Sequence, residues 1–546
     1  MDNLFLKTVG KKDTVTENGA ISNSSTGKAI IDQFGSCSSY MNRGYIFVSE
    51  DQETLWKENP DLALKFIFYL RMITRKVKIN DSYISDNVQM GQGLKDESLK
   101  RMLWLAENHP EVFYHNIWLL PMVGSWKDIW MLMFYDKDLG SESIEHSAMF
   151  ELIKQGLACE EHCDLIKKYM PRIKSVSKLK TDWTKYMNKL AIEFAKYLGI
   201  SSKEYNKLKA SGKAHDFQKF ISNNLYENIN WSHIPGKALN LLVNSKFLKN
   251  HKLEDSYINW LEKQPTVKFN GYVHELGKVY NDNTNNGFSE LKNITLKYTL
   301  NKQFNELIEK AKDNGGIKGN VWCALDTSGS MTSAMTTRNG VTAYDVCVSL
   351  GIYFSTLNQG AFHKNVIMFD DRSRVKKLEG DFCDMMRQLP KNAMGGTNFQ
   401  SVVDEIVRVR KKNPNIPLED YPQTLLVVSD MQFNPTNKYF YKYTREEEMT
   451  NYEAMKSKLY EVFPQEFVDD MKFIWWSVCS EKKDFPATME DGGCYIMSGF
   501  DGSIVSLILG GEEIINEKGE KVKPSMEEIV IKALNQEILL QATINV

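Results

Sequence analysis

The sequence predicts an α and α/β protein: an N-terminal α-helical, HEAT-like repeat array followed by a doubly wound α/β domain. Three observations predict it. From about 49 to 315, apolar residues recur at helical spacing with short connections. After 316, short apolar runs alternate with helix-period segments. Two of those runs end in a carboxylate, Asp326 and Asp430. Helices in succession argue for stacked helical pairs. Strand alternating with helix argues for a parallel sheet covered on both faces.

The bulk numbers set the frame. With 546 residues the chain has room for more than one domain. Its 42% hydrophobic and 25% charged content is that of a soluble globular protein. A net charge of −2 predicts no strong global pull toward nucleic acid or membrane. No apolar stretch approaches a membrane span, and the first residues lack the apolar core of a signal peptide. No membrane association and a cytoplasmic location are therefore expected. The eight cysteines are scattered. Cys323 and Cys479 fall in predicted strands and Cys347 in a predicted helix, so they read as small core residues. Cys159-Glu160-Glu161-His162-Cys163 invites a zinc reading, but no second Cys/His pair accompanies it.

Residues 1–48 are polar and read as a mostly extended arm, anchored near Ile30-Ile31-Asp32-Gln33-Phe34. Residues 49–315 read as the helical domain. Asp61–Leu70, Leu99–Leu105, Ile192–Leu198 and Leu300–Ile308 carry the helical period. Gly315-Gly316 ends that region. In the third segment, 316–546, strands are expected over Val321–Leu325, Val366–Phe369, Leu425–Ser429, Phe473–Val478 and Cys494–Met497. Helices are expected over Tyr344–Leu357, Phe399–Lys411, Glu446–Val462 and Met526–Leu539. Right-handed crossovers bring the ends of the strands before Asp326 and Asp430 to one edge.

That edge carries the chemistry. Asp326-Thr327-Ser328-Gly329-Ser330-Met331 follows the first strand and sets one carboxylate and two hydroxyls around a point. Met394-Gly395-Gly396-Thr397-Asn398 adds a third hydroxyl, and Ser429-Asp430 a second carboxylate. Hard oxygen donors of this kind suit Mg²⁺ or Mn²⁺. Thr397-x-x-Gln400 also fits a helix capping box, so Thr397 reads either as a donor or as a cap. Together, Asp326, Ser328, Ser330, Thr397 and Asp430 resemble the metal-ion-dependent adhesion site of a von Willebrand factor A domain, in the chain order of that family. The resemblance implies that Ser328 and Ser330 bind the metal directly and Thr397 directly or through water. The aspartates supply charge, often through water, and one position stays open for an acidic group from a protein partner.

Helices before such a domain resemble the TROVE, or Ro autoantigen, family, in which helical repeats hold non-coding RNA. A closer resemblance is to the DUF2828 family. It rests on Thr16-Glu17-Asn18-Gly19-Ala20, Ser25-Thr26-Gly27, Gly124–Trp130, Tyr197–Ile200, Ile234–Ala238, Asp326–Met331 and Ser429–Phe433. Gly236 departs from the serine expected after Pro235.

Charge distribution agrees with an RNA partner. From Leu165 to Lys252 the chain has 18 Lys or Arg against 5 Asp or Glu, a net of +13. A cationic stretch favours phosphate by releasing counterions. Only Arg172 among the 18 is arginine, which points to shape- or end-directed binding rather than base reading. Lys174, Lys178, Lys180 and Lys185 are the candidate RNA contacts. Tyr169, Trp183, Tyr186 and Tyr205 read either as stacking platforms or as core.

Two function classes follow. One is a non-enzymatic RNA-binding protein whose α/β domain also binds a divalent cation and an acidic protein. The other is a protein-interaction scaffold acting through the metal site alone. The sequence has no Gly-x-x-x-x-Gly-Lys-[Ser/Thr] phosphate loop and no Gly-x-Ser-x-Gly elbow, so no enzyme is expected.

Overall fold

The computed structural model describes residues 12–37, 44–73, 78–80, 83–84, 89–212, 216–313, 316–333, 340–391, 395–436, 449–479, 484–489, 491–500 and 524–545, with a few more between 501 and 523. Gly315, Met394 and the expected helix start at Glu446 lie outside the described residues. The fold is α and α/β, and the chain divides into two compact units. One comprises residues 45–234 with 534–546, the other 1–44 with 235–533. These units cut the chain differently from the expected boundaries near 48 and 315.

The first unit is helical. Its helices include Pro60–Arg71, Lys95–Asn108, Trp126–Asp138, Glu160–Tyr169, Asp182–Tyr197 and Ser202–Ser211. Pro60–Arg71 shows why they form. Asn59 caps it by accepting from the Leu62 amide, and proline sits in the first turn, where no amide is needed. Phe66, Ile67 and Leu70 are then fully buried. The Gly124–Trp130 motif proves to be a packing device. The Ser125 amide donates to Asp128 Oδ2 at 2.8 Å. Arg71 (2.7 Å) and Lys95 (3.0 Å) pair with the same buried carboxylate. Burial pushes the Asp128 carboxyl up, but the two cations outweigh it and hold it below the ordinary carboxylate range. The chain's last residues belong here. Asn535 and Gln536 bond Lys65 and Met90, so the helix expected over Met526–Leu539 stops at Leu534.

The second unit is built on a six-stranded sheet. Two short strands, Thr14–Val15 (β1) and Ile21–Ser22 (β2), form a hairpin outside it. The sheet strands are Val321–Asp326 (β3), Asn365–Phe369 (β4), Ser373–Lys377 (β5), Thr424–Ser429 (β6), Lys472–Ser477 (β7) and Cys494–Ser498 (β8). Their order is β8-β7-β6-β3-β4-β5. All neighbours are parallel except β5, an antiparallel edge strand that returns from β4 through a tight turn. The edge strand was not expected; Ser373-Arg374-Val375-Lys376-Lys377 carries one apolar residue and no strand signal of its own.

Parallel strands are buried on both faces, and the side chains alternate accordingly. Trp322, Ala324, Val427 and Trp475 join the helices Gln400–Lys412 and Asn451–Leu459 in one cluster. On the opposite face, Leu325 lies against Gly351 of the helix Ala343–Leu357, where a Cβ would overlap its methyls. Gly236 likewise has no room for a side chain: a Cβ would lie 2.7 Å from the Lys268 carbonyl oxygen. Its departure from serine is therefore a packing fit.

The N-terminal segment is anchored near Ile30–Phe34, as expected, but it docks through its hairpin as well rather than running as an extended arm. Ala20, Ile30, Ile31 and Phe34 are buried, and the helix Ala29–Ser36 packs on β8. The Asn23 and Phe485 backbones exchange hydrogen bonds at 2.9 Å. Polar composition hid this because the polar side chains satisfy backbone groups at the sheet edge. Gly35 is the tightest contact: a Cβ there would overlap Ile496 Cγ2. Gly35→Ala is predicted to destabilise this unit by about 1–3 kcal/mol through overpacking. Thermal unfolding of wild type and variant checks it; an unchanged midpoint would show that the segment is not docked as described.

Candidate metal centre

The site forms where β3 and β6 run side by side, Leu325 opposite Val428, so that Asp326 and Asp430 leave the sheet at the same end. This is the carboxyl end of the parallel strands, where open α/β sheets place their ligands. The loop after β3 is shaped by its own hydrogen bonds. Thr327 donates both its amide (2.8 Å) and its hydroxyl (3.0 Å) to the Phe369 carbonyl. Asp326 turns back on the chain: Oδ1 accepts from the Ser328 amide at 2.9 Å. Oδ2 accepts from the Ser429 hydroxyl at 2.5 Å. The Ser328 and Ser330 hydroxyls lie 3.2 Å apart. Beneath the site, Cys347 on the helix Ala343–Leu357 places its thiol 3.3 Å from the Val428 carbonyl.

After β6 the backbone is strained. Met431 has φ of 64°, a left-handed value that a residue with a Cβ rarely adopts. Its amide donates to the Ser429 hydroxyl at 3.0 Å. The Gln432 amide then donates to Asp430 Oδ1 at 3.2 Å. Strain held by surrounding bonds in this way is typical of functional loops.

Thr397 arrives from a third segment. Gly395 has φ of 90°, and a Cβ there would press on the Asp371 carboxylate. Asp371 Oδ1 accepts from the Gly396 amide at 2.8 Å, and the Asn434 amide donates to the Thr397 carbonyl at 2.8 Å. The Gly395 carbonyl accepts from the Gly329 amide at 3.4 Å, which joins the two loops. The capping reading of Thr397 does not hold. The helix begins at Gln400 with Phe399 before it and no side-chain cap, while Gln400 donates to Asn451. Thr397 is 1% exposed, and its hydroxyl makes no hydrogen bond among the described residues.

The electrostatics are unbalanced. Asp326 is fully buried and Asp430 nearly so. Burial, and then the neighbouring Asp430 charge, push the Asp326 carboxyl up to about 7. Burial also raises Asp430. Neither forms an ion pair among the described residues. No group of three or more His, Cys, Asp or Glu is placed to hold a metal among those residues. The donor set here is different in kind: two carboxylates and three hydroxyls, all hard oxygens. A divalent cation fits it. Bound there, it would supply the absent positive charge and would give the Thr397 hydroxyl a partner.

The candidate RNA residues lie in the helical unit. Lys174, Lys178, Lys180 and Lys185 are all exposed, along a loop and the first turn of the helix Asp182–Tyr197. Lys185 pairs loosely with exposed Asp182; the other three form no ion pair among the described residues. The aromatic side chains divide. Tyr205 is fully buried core, while Trp183 and Tyr186 pack edge-on against Phe134 at 4.8 and 6.0 Å. Tyr169 is half-buried.

The molecule is thus a mixed α and α/β protein with a buried, oxygen-rich site at the carboxyl edge of a mostly parallel sheet. Among the described residues, no helix is long and apolar enough to cross a membrane. Residues 16–139 match the model of a domain of unknown function, DUF2828, in agreement with the resemblance drawn from the motifs. Residues 321–542 match a second, DUF7788, also a domain of unknown function. The chain is 22% identical to Uncharacterized protein L728 of Acanthamoeba polyphaga mimivirus over 530 residues, covering 91% of this chain and 85% of that one. No solved structure matches.

The raised Asp326 carboxyl has a consequence for stability. Its ordinary value is about 3.9. In the folded, metal-free protein the group keeps its proton up to about 7. The unfolded chain therefore releases that proton at lower pH than the folded protein, and stability from this group falls as pH rises from about 4 to 7. Asp326→Asn keeps the shape and removes the charge. In a chelator, wild type is predicted to lose more thermal stability than Asp326→Asn between pH 5 and pH 8. Parallel pH profiles would contradict the burial of an uncompensated charge.

Proposed function

We propose that this chain is a non-enzymatic, metal-dependent binding protein. Its sheet unit holds Mg²⁺ or Mn²⁺ through Asp326, Ser328, Ser330, Thr397 and Asp430, and a carboxylate ligand completes the coordination. The observation that carries the reading is the pair of buried, adjacent carboxylates with no positive partner among the described residues. Two negative charges in low dielectric repel each other and cost several kcal/mol unless a cation joins them. The bound cation supplies a Lewis-acidic docking point for an acidic group, and the protein's own residues supply charge and orientation. Titration of Mn²⁺ by calorimetry tests this. Wild type is predicted to bind and Asp326→Ala to lose binding while keeping its circular dichroism spectrum. Equal binding by both proteins, or none by either, contradicts the reading.

RNA binding by the helical unit is the companion reading, favoured by one observation: the four lysines are exposed in a single stretch and three of them carry unpaired charge. Non-coding or single-stranded RNA is the proposed class of ligand. Four phosphate contacts predict a slope near −3 in log affinity against log salt for a single strand. Filter binding of full-length protein at several salt concentrations measures it. Changing Lys174, Lys178, Lys180 and Lys185 together to Glu is predicted to remove most binding. A flat salt response or an unaffected quadruple variant leaves the metal-dependent scaffold as the function.

A further inference from the structure

The strand β5 is an open edge of the sheet, and its register with β4 fixes which backbone groups are free. The Asp370 amide donates to the Arg372 carbonyl at 3.2 Å, and the Leu378 amide to the Lys364 carbonyl at 2.8 Å. In an antiparallel pair, residues that exchange bonds alternate with residues that do not. Met368 lies opposite Arg374 and Val366 opposite Lys376, in phase with those two bonds. Arg374 and Lys376 therefore turn their backbone groups toward β4. Ser373, Val375 and Lys377 turn theirs away from the sheet. The Val375 amide points the same way: it reaches Glu405 Oε1 on the helix Gln400–Lys412 at 3.4 Å. That is longer than an ordinary bond, and Glu405 is held instead by Arg408 Nε at 2.6 Å. The Ser373 and Lys377 amides and the outward carbonyls have no hydrogen bond among the described residues.

Charge marks the same edge independently. Arg372, Arg374 and Lys377 are exposed and form no ion pair among the described residues. Lys376 donates to the Gln388 carbonyl, and burial followed by the Arg374 charge holds its ammonium below the ordinary lysine range. Lys412, exposed at the end of the neighbouring helix, is likewise without an ion pair among those residues. Glu405, which faces the middle of the strand, is paired with Arg408. In the turn before β5, Asp370 and Asp371 are engaged by backbone amides, Asp370 by Arg372 at 3.1 Å and Asp371 by Gly396 at 2.8 Å. The Asn398 amide donates to the Asp370 carbonyl at 2.8 Å, so the strand begins where the Thr397 loop is tied. Cationic side chains on an edge keep identical edges apart. The same charges favour a strand of opposite sign.

We propose that β5 is a docking edge for an acidic, extended segment of a partner protein, which adds to the sheet as a further strand. Main-chain bonds to Ser373, Val375 and Lys377 supply the pairing, and Arg372, Arg374 and Lys377 select the charge. Exposed charges contribute little each, so pairing and charge are both required. Nucleic acid matches the charge but offers no ladder of backbone donors and acceptors at strand spacing. The inference gives the acidic partner a place and a shape, and it does not require the ion. Because β5 begins beside the Thr397 loop, one acidic partner can meet both features.

The test uses full-length protein in a chelator, so that no ion takes part. The probe is a fluorescent, alternating Glu-Thr peptide of about eight residues, a usual strand length. The controls are an alternating Lys-Thr peptide, the Glu-Thr peptide with adjacent central amides N-methylated to block both of its edges, and oligouridylate. Anisotropy reads affinity, and amide hydrogen exchange reads place. The Glu-Thr peptide is expected to bind and to slow exchange within residues 372–378, and the Lys-Thr and N-methylated peptides are not. Changing Arg372, Arg374 and Lys377 together to Glu leaves the backbone pairing with β4 in place. It is expected to weaken Glu-Thr binding at least about tenfold, since three rim charges change sign. No binding of the Glu-Thr peptide, equal binding of its N-methylated form, or an unaffected triple variant overturns the inference. Protection of 372–378 by oligouridylate alone overturns it in favour of nucleic acid. Protection that appears with protein concentration and without peptide overturns it in favour of a second copy. Mn²⁺ binding is measured separately, so this inference and the metal reading fail independently.

Discussion

Two carboxylates that should not be buried together organise the sheet unit. Asp326 and Asp430 leave adjacent parallel strands at the same end, inside the protein and with no ion pair among the described residues. Much of the surrounding structure manages that charge. Ser429 and the Ser328 amide each bond one oxygen of Asp326. The Gln432 amide bonds Asp430, and Met431 adopts a left-handed backbone to permit it. Hydrogen bonds of this kind offset part of the desolvation penalty, and the raised Asp326 carboxyl shows that the remainder is large. A divalent cation bound there would offset it.

The same constraint explains why the N-terminus belongs with the sheet. The Thr16–Ala20 turn bonds the loop after β6 from the far end of the chain, and the helix Ala29–Ser36 packs on β8 and β7. The unit thus closes on itself through contacts more than 400 residues apart in sequence. The helical unit is held by different means. Its Gly124–Trp130 motif serves a buried Asp128 that has two cations, so its charge is balanced internally. The contrast is in the partners: Asp128 has Arg71 and Lys95, whereas Asp326 and Asp430 have hydroxyls and amides.

Much of this was legible in the sequence, for physical reasons. The five parallel strands read clearly because strands buried on both faces are uninterrupted apolar runs. The helices Pro60–Arg71, Lys95–Asn108 and Ala343–Leu357 read clearly because their apolar stripes are strong. That Asp326 and Asp430 leave the sheet at one edge followed from strand ends and crossover handedness, whereas Thr397 was set beside them only by the resemblance. Less was legible where polar residues do structural work. The β5 edge strand has almost no apolar face, and the N-terminal segment looked like an arm because its Ser, Thr and Asn residues bond backbone rather than water. Tyr205 shows the reverse error, an aromatic residue that sequence left open as a base platform and packing places in the core.

The lysine-rich stretch and the oxygen-rich site occupy different units, so their chemistries can be tested apart, but the account as a whole depends on the ion. Diffraction from crystals of the full-length protein grown with Mn²⁺, collected at the manganese absorption edge, tests that dependence most directly. The account predicts one anomalous peak bounded by Asp326, Ser328, Ser330, Thr397 and Asp430. Well-ordered site residues with no anomalous peak among them would contradict it.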